Sequence, residues 1–375
     1  MSEQPSVAIV IASWNGRHLL APCLASIAAL DYPAGRLETI VVDNGSGDGT
    51  VGWLAAEHPR VRVLANGANQ GFAVASNQGA EAAATDLVAF VNNDVRLAPD
   101  WLRLLVAARG QADAAAVGSR ILDWDGRRLD FDGGAMNFYG HGVSRGHGRP
   151  AGGAAAGAAP QPTLFACGAA MLADRARFLA CGGFDPDYFA YFEDVDLGWR
   201  LWVEGERVLH VPDALAYHRH HGSGIDPARH TRLLERNALG NVMKNYDDDS
   251  LAVVLPAALA LLETRARLAG TGASALYEET RRDFESGRAV LEARRARVQA
   301  RRRRPDRDIL PLFVEPFRPS YFGPAYWRIQ REVVAASGVG RLFAGAGGSL
   351  DDFVDELERR IVELERALAA ARERA

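Results

Sequence analysis

The sequence predicts an α/β protein whose sheet carries helices on both faces. Two observations lead there. Short β-branched, apolar runs recur along the first half, and segments with helical apolar spacing separate them. Residues 7–12 read as a buried strand. Over 17–30, Leu19, Leu20, Leu24 and Ile27 recur at helical spacing. Residues 38–42 form a second strand ending at Asp43, 51–57 a helix and 61–64 a third strand. The Ala-rich stretch 71–84 is helical, and 87–91 is a fourth strand followed by a helix over 99–108. In such a βαβα order the strands run parallel, and ligands bind beyond their carboxyl ends.

The second half is less regular. Residues 140–162 are dominated by Gly, Ala and Pro and predict a mobile loop without apolar periodicity. Residues 163–172 return as an apolar segment, and 193–204 form a short helix closed by Gly205. The texture changes near residue 246, where the sequence places a domain boundary: 1–246 an α/β domain, 247–349 a helical extension, 350–375 an amphipathic helix. Within the extension, 251–267 is an apolar helix turning Arg-rich. Residues 280–304 read as one long polar helix ending in Arg301–Arg304, and 311–326 are rich in Pro and aromatics. In the last segment Val354, Leu357, Ile361, Leu364 and Leu368 recur every three or four residues, a heptad that predicts a parallel homodimer.

Composition narrows the class. The 375 residues carry a net charge of −4 and are 48 % hydrophobic, which excludes a nucleic-acid binder driven by bulk charge and provides for a large core. No run reaches the ~18–20 apolar residues of a membrane span. Cys23, Cys167 and Cys181 form no CxxC, which predicts a reducing, cytoplasmic setting. Ser13-Trp14-Asn15-Gly16-Arg17 after the first strand is neither GxGxxG nor a phosphate-binding loop.

Four clusters carry oxygen or nitrogen donors. Asp43 ends the second strand, where it can accept from a nucleotide base or ribose, or cap a turn. Asn92-Asn93-Asp94 follows the fourth strand; one carboxylate with phosphate oxygens is enough to hold Mg²⁺ or Mn²⁺, and the same residues suit a turn or a helix cap. Glu193-Asp194-Val195-Asp196 opens a helix, where acids favour the macrodipole. Three carboxylates in four residues exceed a cap's needs, and their repulsion raises a pKa, as a general base requires. The aromatic run Tyr188-Phe189-Ala190-Tyr191-Phe192 before it suits a sugar site or a core. His218, in Tyr217-His218-Arg219-His220-His221, can complete a metal shell or sit in a solvated loop.

In their order these segments resemble glycosyltransferase family 2, the inverting enzymes of the GT-A fold, and especially its rhamnosyltransferase-type members. The resemblance rests on Val10-Ile11-Ala12-Ser13-Trp14-Asn15-Gly16, Val41-Val42-Asp43-Asn44-Gly45-Ser46, Asn69-Gln70-Gly71-Phe72-Ala73 with Asn77 and Gly79, and Val91-Asn92-Asn93-Asp94. It continues through Gly182-Gly183-Phe184-Asp185 to Tyr191-Phe192-Glu193-Asp194-Val195-Asp196-Leu197, with His218, Ser223 and Arg236-Asn237 behind, and covers roughly 6–246.

The resemblance implies a GT-A nucleotide-diphospho-sugar transferase fold, a Rossmann-like mixed sheet, with an α-helical C-terminal extension. It implies an NDP-sugar donor, a saccharide or lipid-linked acceptor, and a role in surface polysaccharide or glycolipid assembly. By the same resemblance Asp194 is the catalytic base. Asp94 and His218, with Asn92 where the family's DxD motif has its first Asp, hold Mg²⁺ or Mn²⁺. Asn15, Asp43, Asn44, Asn69, Gly71, Phe72, Asn77, Asn93, Gly168, Glu193 and Arg236 bind substrates. The apolar 251–262 and basic 301–304 together predict a peripheral contact with the inner face of a membrane. A nucleotidyltransferase, or a sugar-nucleotide-binding scaffold subunit without activity, is the competing reading.

Overall fold

A computed structural model describes residues 4–153, 157–220, 225–269, 271–318 and 322–343. The first half alternates as its apolar pattern requires: β1 Val7–Ser13, α1 Arg17–Ala28, β2 Leu37–Asp43, α2 Thr50–Glu57, β3 Arg62–Ala65, α3 Phe72–Ala82, β4 Leu87–Val91, β5 Val95–Leu97 and α4 Trp101–Ala112. The next elements are β6 Ala116–Asp123, β7 Leu129–Phe131, β8 Gly134–Met136, β9 Gly142–Ser144, β10 Gln161–Pro162, β11 Ala170–Asp174, α5 Arg175–Ala180, α6 Glu193–Val203 and β12 Val208–His218.

Among the described residues, one mixed sheet runs in the order β10-β12-β6-β11-β4-β1-β2-β3, with β5 on β12 and β7 on β6. Strands β4, β1, β2 and β3 are mutually parallel, and β11 runs antiparallel between β4 and β6. β1 and β4 are buried almost throughout, as strands covered by helices on both faces must be. Their carboxyl ends, with those of β2 and β12, meet at one edge. That convergence sets Asp43, Asp94 and His218 at neighbouring strand ends.

The helical region follows: α7 Pro227–Asn245, α8 Asp248–Leu268, α9 Thr271–Ser286, α10 Arg288–Ala300 and α11 Pro324–Ser337. α7 starts at Asp226, whose side chain accepts from the amides of Ala228 and Arg229, with Pro227 at the first position. Val254, Leu261, Leu262, Phe284 and Tyr326 from this region share one buried cluster with the sheet. Glu235 on α7 pairs with Arg265 on α8 at 2.6 Å and with His141 at 3.1 Å; all three are buried.

Several expectations are corrected here. The stretch 280–304 is not one helix, because α9 and α10 are separated at Gly287 and α10 ends at Ala300. The Gly/Ala/Pro-rich 140–162 contributes β9, paired with β8, and β10, paired with β12. The features taken as membrane signals have internal uses. α8 buries Val254, Ala257, Ala258, Leu261 and Leu262. Arg301 pairs with Glu204, Arg302 with Asp306, and Arg304 donates to the carbonyls of Gly205 and Glu206. No helix of the described residues is long and apolar enough to cross a membrane. The heptad at Val354–Leu368, the dimer it predicts and Ser223 lie outside the described residues.

Candidate functional site

A cavity of about 630 Å³ opens at the carboxyl edge of the sheet. Its wall includes Asn44, Asn69, Gly71, Phe72, Asn92, Asn93, Asp94, Gly168, Glu193, Asp194 and His218, so most of the site residues expected from the sequence converge there. Segments far apart in the chain build it: the β2–α2 turn, the loop before α3, the end of β4, the turn before β11, the entry to α6 and the end of β12.

Asp194 lies in the first turn of α6. Its Oδ2 accepts from the Gly168 amide at 2.9 Å and its Oδ1 from the Val195 amide at 2.8 Å. Burial nonetheless raises its pKa above the ordinary carboxylate value, against the lowering effect of those amides. Glu193 is pushed up further, by burial first and then by the neighbouring Asp194 charge. Glu193 Oε2 has no hydrogen-bond partner among the described residues. The pair therefore keeps a proton to higher pH than free carboxylates do. The amides of Gly168 and Val195 favour the ionised form of Asp194, whereas Glu193 Oε2 has no such donor among the described residues. Asp196, the third acid of the cluster, points elsewhere: it is fully buried on Arg200 at 2.8 Å and Lys244 at 2.9 Å.

On another wall, Asp94 Oδ1 lies 3.2 Å from His218 Nε2. The remaining ring nitrogen, Nδ1, is 3.0 Å from Asp130 Oδ2. Burial alone would lower the His218 pKa, but the hydrogen bonds to Asp130 and Asp94 outweigh it and hold it at about 9. An imidazole nitrogen and a carboxylate side by side, with Asn92 also lining the cavity, form a donor set suited to a divalent cation.

Asp43 is buried, and its Oδ2 accepts from the Ser46 amide at 3.0 Å. Its Oδ1 has no hydrogen-bond partner among the described residues, although it sits beside cavity-lining Asn44. A buried, unsatisfied carboxylate oxygen is costly, and a donor on a bound ligand would relieve the cost. Asn44 itself donates to Gly71 O at 3.0 Å, Asn69 Oδ1 accepts from Gly71 N at 2.9 Å, and Asn93 donates to Ser13 Oγ at 3.1 Å. Gly71 has φ +88°, and a Cβ there would lie 2.4 Å from Phe189 O.

The loop between Gly183 and α6 is strained. Phe189, Tyr191 and Phe192 take positive φ of 61°, 71° and 64°, and all three line the cavity. One buried side chain clamps them. Asn237 Nδ2 lies 3.1, 3.0 and 2.7 Å from the carbonyls of Tyr188, Ala190 and Tyr191. The sequence assigns Asn237 no role of its own; its place beside Arg236 in the matched motif is the available signal.

Besides Asp43, three expected substrate residues stand outside the cavity wall. Asn77 spends both ends of its amide on the backbone of Phe184, at 2.8 and 2.9 Å, joining α3 to the Gly183-Phe184 turn. Arg236 donates to Asp187 O and Asn237 Oδ1. Asn15 accepts from Gly47 N at 2.8 Å and braces the β1 and β2 loops against each other. These side chains hold the frame.

Comparison with known proteins is consistent with this geometry. The profile of glycosyl transferase family 2 matches residues 8–151. An N-acetylglucosaminyl-diphospho-decaprenol L-rhamnosyltransferase of Mycobacterium tuberculosis is 33 % identical over 227 residues, which cover 54 % of this chain and 74 % of the relative. An N-acetylglucosaminyltransferase of Bradyrhizobium elkanii is 35 % identical over 123 residues, 32 % of this chain and 67 % of that one. Among solved structures, GalNAc-T7 with UDP, GalNAc and Mn²⁺ aligns with a TM-score of 0.56 at 17 % identity, covering 76 % of this chain and only 58 % of that one. S. aureus TarS 1-349 in complex with UDP aligns with a TM-score of 0.52 at 13 % identity, over 91 % of this chain and 92 % of that one. These structural likenesses show the fold, which is GT-A with a helical C-terminal region.

Proposed function

The chain belongs to glycosyltransferase family 2, and on that premise we propose that it transfers a sugar from an NDP-sugar to an acceptor hydroxyl by one inverting displacement. The observation that carries the reading is that one cavity holds both the Asp94–His218 pair and Asp194.

In this reading the unsatisfied Asp43 oxygen takes a donor from the nucleotide. Asp94, His218 and Asn92 would hold a divalent cation, Mg²⁺ or Mn²⁺, which would supply positive charge to the diphosphate leaving group. Asp194, aimed by the Gly168 amide, takes the acceptor hydroxyl's proton as that oxygen attacks the anomeric carbon and the diphosphate departs. Glu193 stays protonated beside it and leaves the cavity with one ionised base. The strained aromatic loop walls the acceptor side and keeps water from the same carbon.

The acceptor we propose is a lipid-linked saccharide of cell-envelope polysaccharide assembly, by likeness to the rhamnosyltransferase whose name specifies a decaprenol-linked substrate. Such an acceptor would bring the working enzyme to a membrane surface. Dimerisation through 350–375 stands as a proposal from the heptad, tested by sedimentation of the full chain against a truncation at Gly348. Family membership disfavours the scaffold and nucleotidyltransferase alternatives.

The test runs in two stages. A panel of NDP-sugars is screened with Mn²⁺ for thermal stabilisation, which rises as RT ln(1 + [L]/Kd). The product made with the best donor is then analysed by NMR. An anomer opposite to the donor's is expected, and a retained anomer contradicts the single displacement.

A further inference from the structure

Asn92 occupies the position at which the family's metal motif carries a carboxylate, so the strand end offers Asp94 alone. The sheet brings a second carboxylate close from the opposite side. β6 pairs on one edge with β12, placing His218 opposite Asp123, and on the other with β7, placing Leu129 opposite Leu122 and Phe131 opposite Ile121. Asp130, between Leu129 and Phe131, thereby reaches the back of the His218 ring although it lies 88 residues away in sequence.

The contact is specific. Asp130 Oδ2 takes His218 Nδ1 at 3.0 Å, while Asp130 Oδ1 lies 2.8 Å from His220 Nε2 and 3.4 Å from His147 Nδ1. The Asp130 carbonyl accepts from Ser144 Oγ, which ties the turn down. The Asp130 side chain is 11 % exposed, so its charge acts at short range with little screening. An imidazole that donates Nδ1–H to a carboxylate is fixed in one tautomer. Its Nε2 then faces the other way, where it donates to Asp94 at 3.2 Å; a cation that displaces that proton would meet a nitrogen made more basic by Asp130.

We propose that Asp130 is the positioning residue of the cation site, supplying through His218 the negative charge that Asn92 does not. The inference rests on the reading that Asp94 and His218 hold a divalent cation. Asp130 does not touch the cation; it aims the nitrogen that does.

The test uses the full chain and Mn²⁺ alone, with bound metal followed by electron paramagnetic resonance and the His218 contact by the ¹⁴N coupling to bound Mn²⁺. Asp130→Asn keeps the shape and removes the charge; the expected loss of Mn²⁺ affinity is about 10–100-fold. Asp130→Ala should also weaken or abolish the ¹⁴N coupling, and Asp130→Glu should restore part of the affinity. A space-filling role alone would be met by Asn as well as by Asp. His220→Ala should leave both readouts at the wild-type level, and a large loss there would move the cation onto the Asp130–His220 pair and overturn the proposal. Wild-type affinity and coupling in both Asp130→Asn and Asp130→Ala would also overturn it. The underlying reading fails separately: Mn²⁺ binding unchanged in Asp94→Asn removes the cation site itself.

Discussion

Gly168 donates its amide hydrogen to Asp194 Oδ2 at 2.9 Å, and both residues line the cavity. A backbone donor cannot swing away as a side chain can, so it fixes the carboxylate's direction and biases the Glu193–Asp194 pair toward ionising at Asp194. A Cβ at Gly168 would meet Phe72 at 3.4 Å and Asp194 Cβ at 3.6 Å, ordinary contact distances.

The first prediction concerns pH. Asp194 acts only when ionised, and burial raises its pKa. kcat/KM should therefore fall as pH is lowered, and the fall should begin above the ordinary carboxylate range. Glu193→Gln copies the protonated form of Glu193 and should keep most of the turnover. A loss on the order of 10²-fold in this variant would show that Glu193 must ionise.

The second prediction concerns the strained loop. Asn237→Ala removes the donor shared by the Tyr188, Ala190 and Tyr191 carbonyls. Leaving such buried groups unmet costs about 1–3 kcal/mol, and the strain of positive φ at three aromatic residues is then no longer held. Denaturant unfolding should show that loss, and the acceptor KM should rise more than the donor KM. An unchanged acceptor KM would mean the loop does not shape that subsite.

The third prediction concerns acid stability. Burial alone would raise the Glu235 carboxyl, but His141 and Arg265 outweigh it and hold it at about 2, below its ordinary 4.5. A depressed folded pKa gives stability that is present above the unfolded value and lost as pH falls through the folded one. The window is thus from about 4.5 down to about 2, and it holds on the order of 3 kcal/mol. Glu235→Gln should flatten the stability profile in that window. It should also destabilise the neutral-pH protein by about 3–5 kcal/mol, since Arg265 is left as a buried unpaired cation. Equal slopes for the two proteins from pH 4.5 to 2 would contradict the assignment.

Much of the site is legible in the chain because it lies at strand ends and helix starts, where local pattern and chemistry coincide. Asp43, Asn92-Asn93-Asp94 and Glu193-Asp194 each follow or open an apolar run that fixes their place. Asp130 is hidden for the opposite reason. Its strand is three residues long, flanked by Asp123, Asp125 and Asp132, and its meaning comes from the pairing of β7, β6 and β12. Asn77 and Arg236 match the family motif, but the sequence does not show that their polar atoms are taken up by the backbone of Phe184 and Asp187. In the basic 301–304 run, likewise, composition records the charges and not the carbonyls and carboxylates that receive Arg301 and Arg304.

The account turns on Asp194 as the base, and replacing its carboxylate by an isosteric amide tests that most directly. Transfer by Asp194→Asn should be measured in a single turnover, with donor affinity determined on the same sample. The account predicts a fall on the order of 10²–10⁴-fold in transfer with donor binding and fold intact. Transfer near the wild-type rate would contradict it.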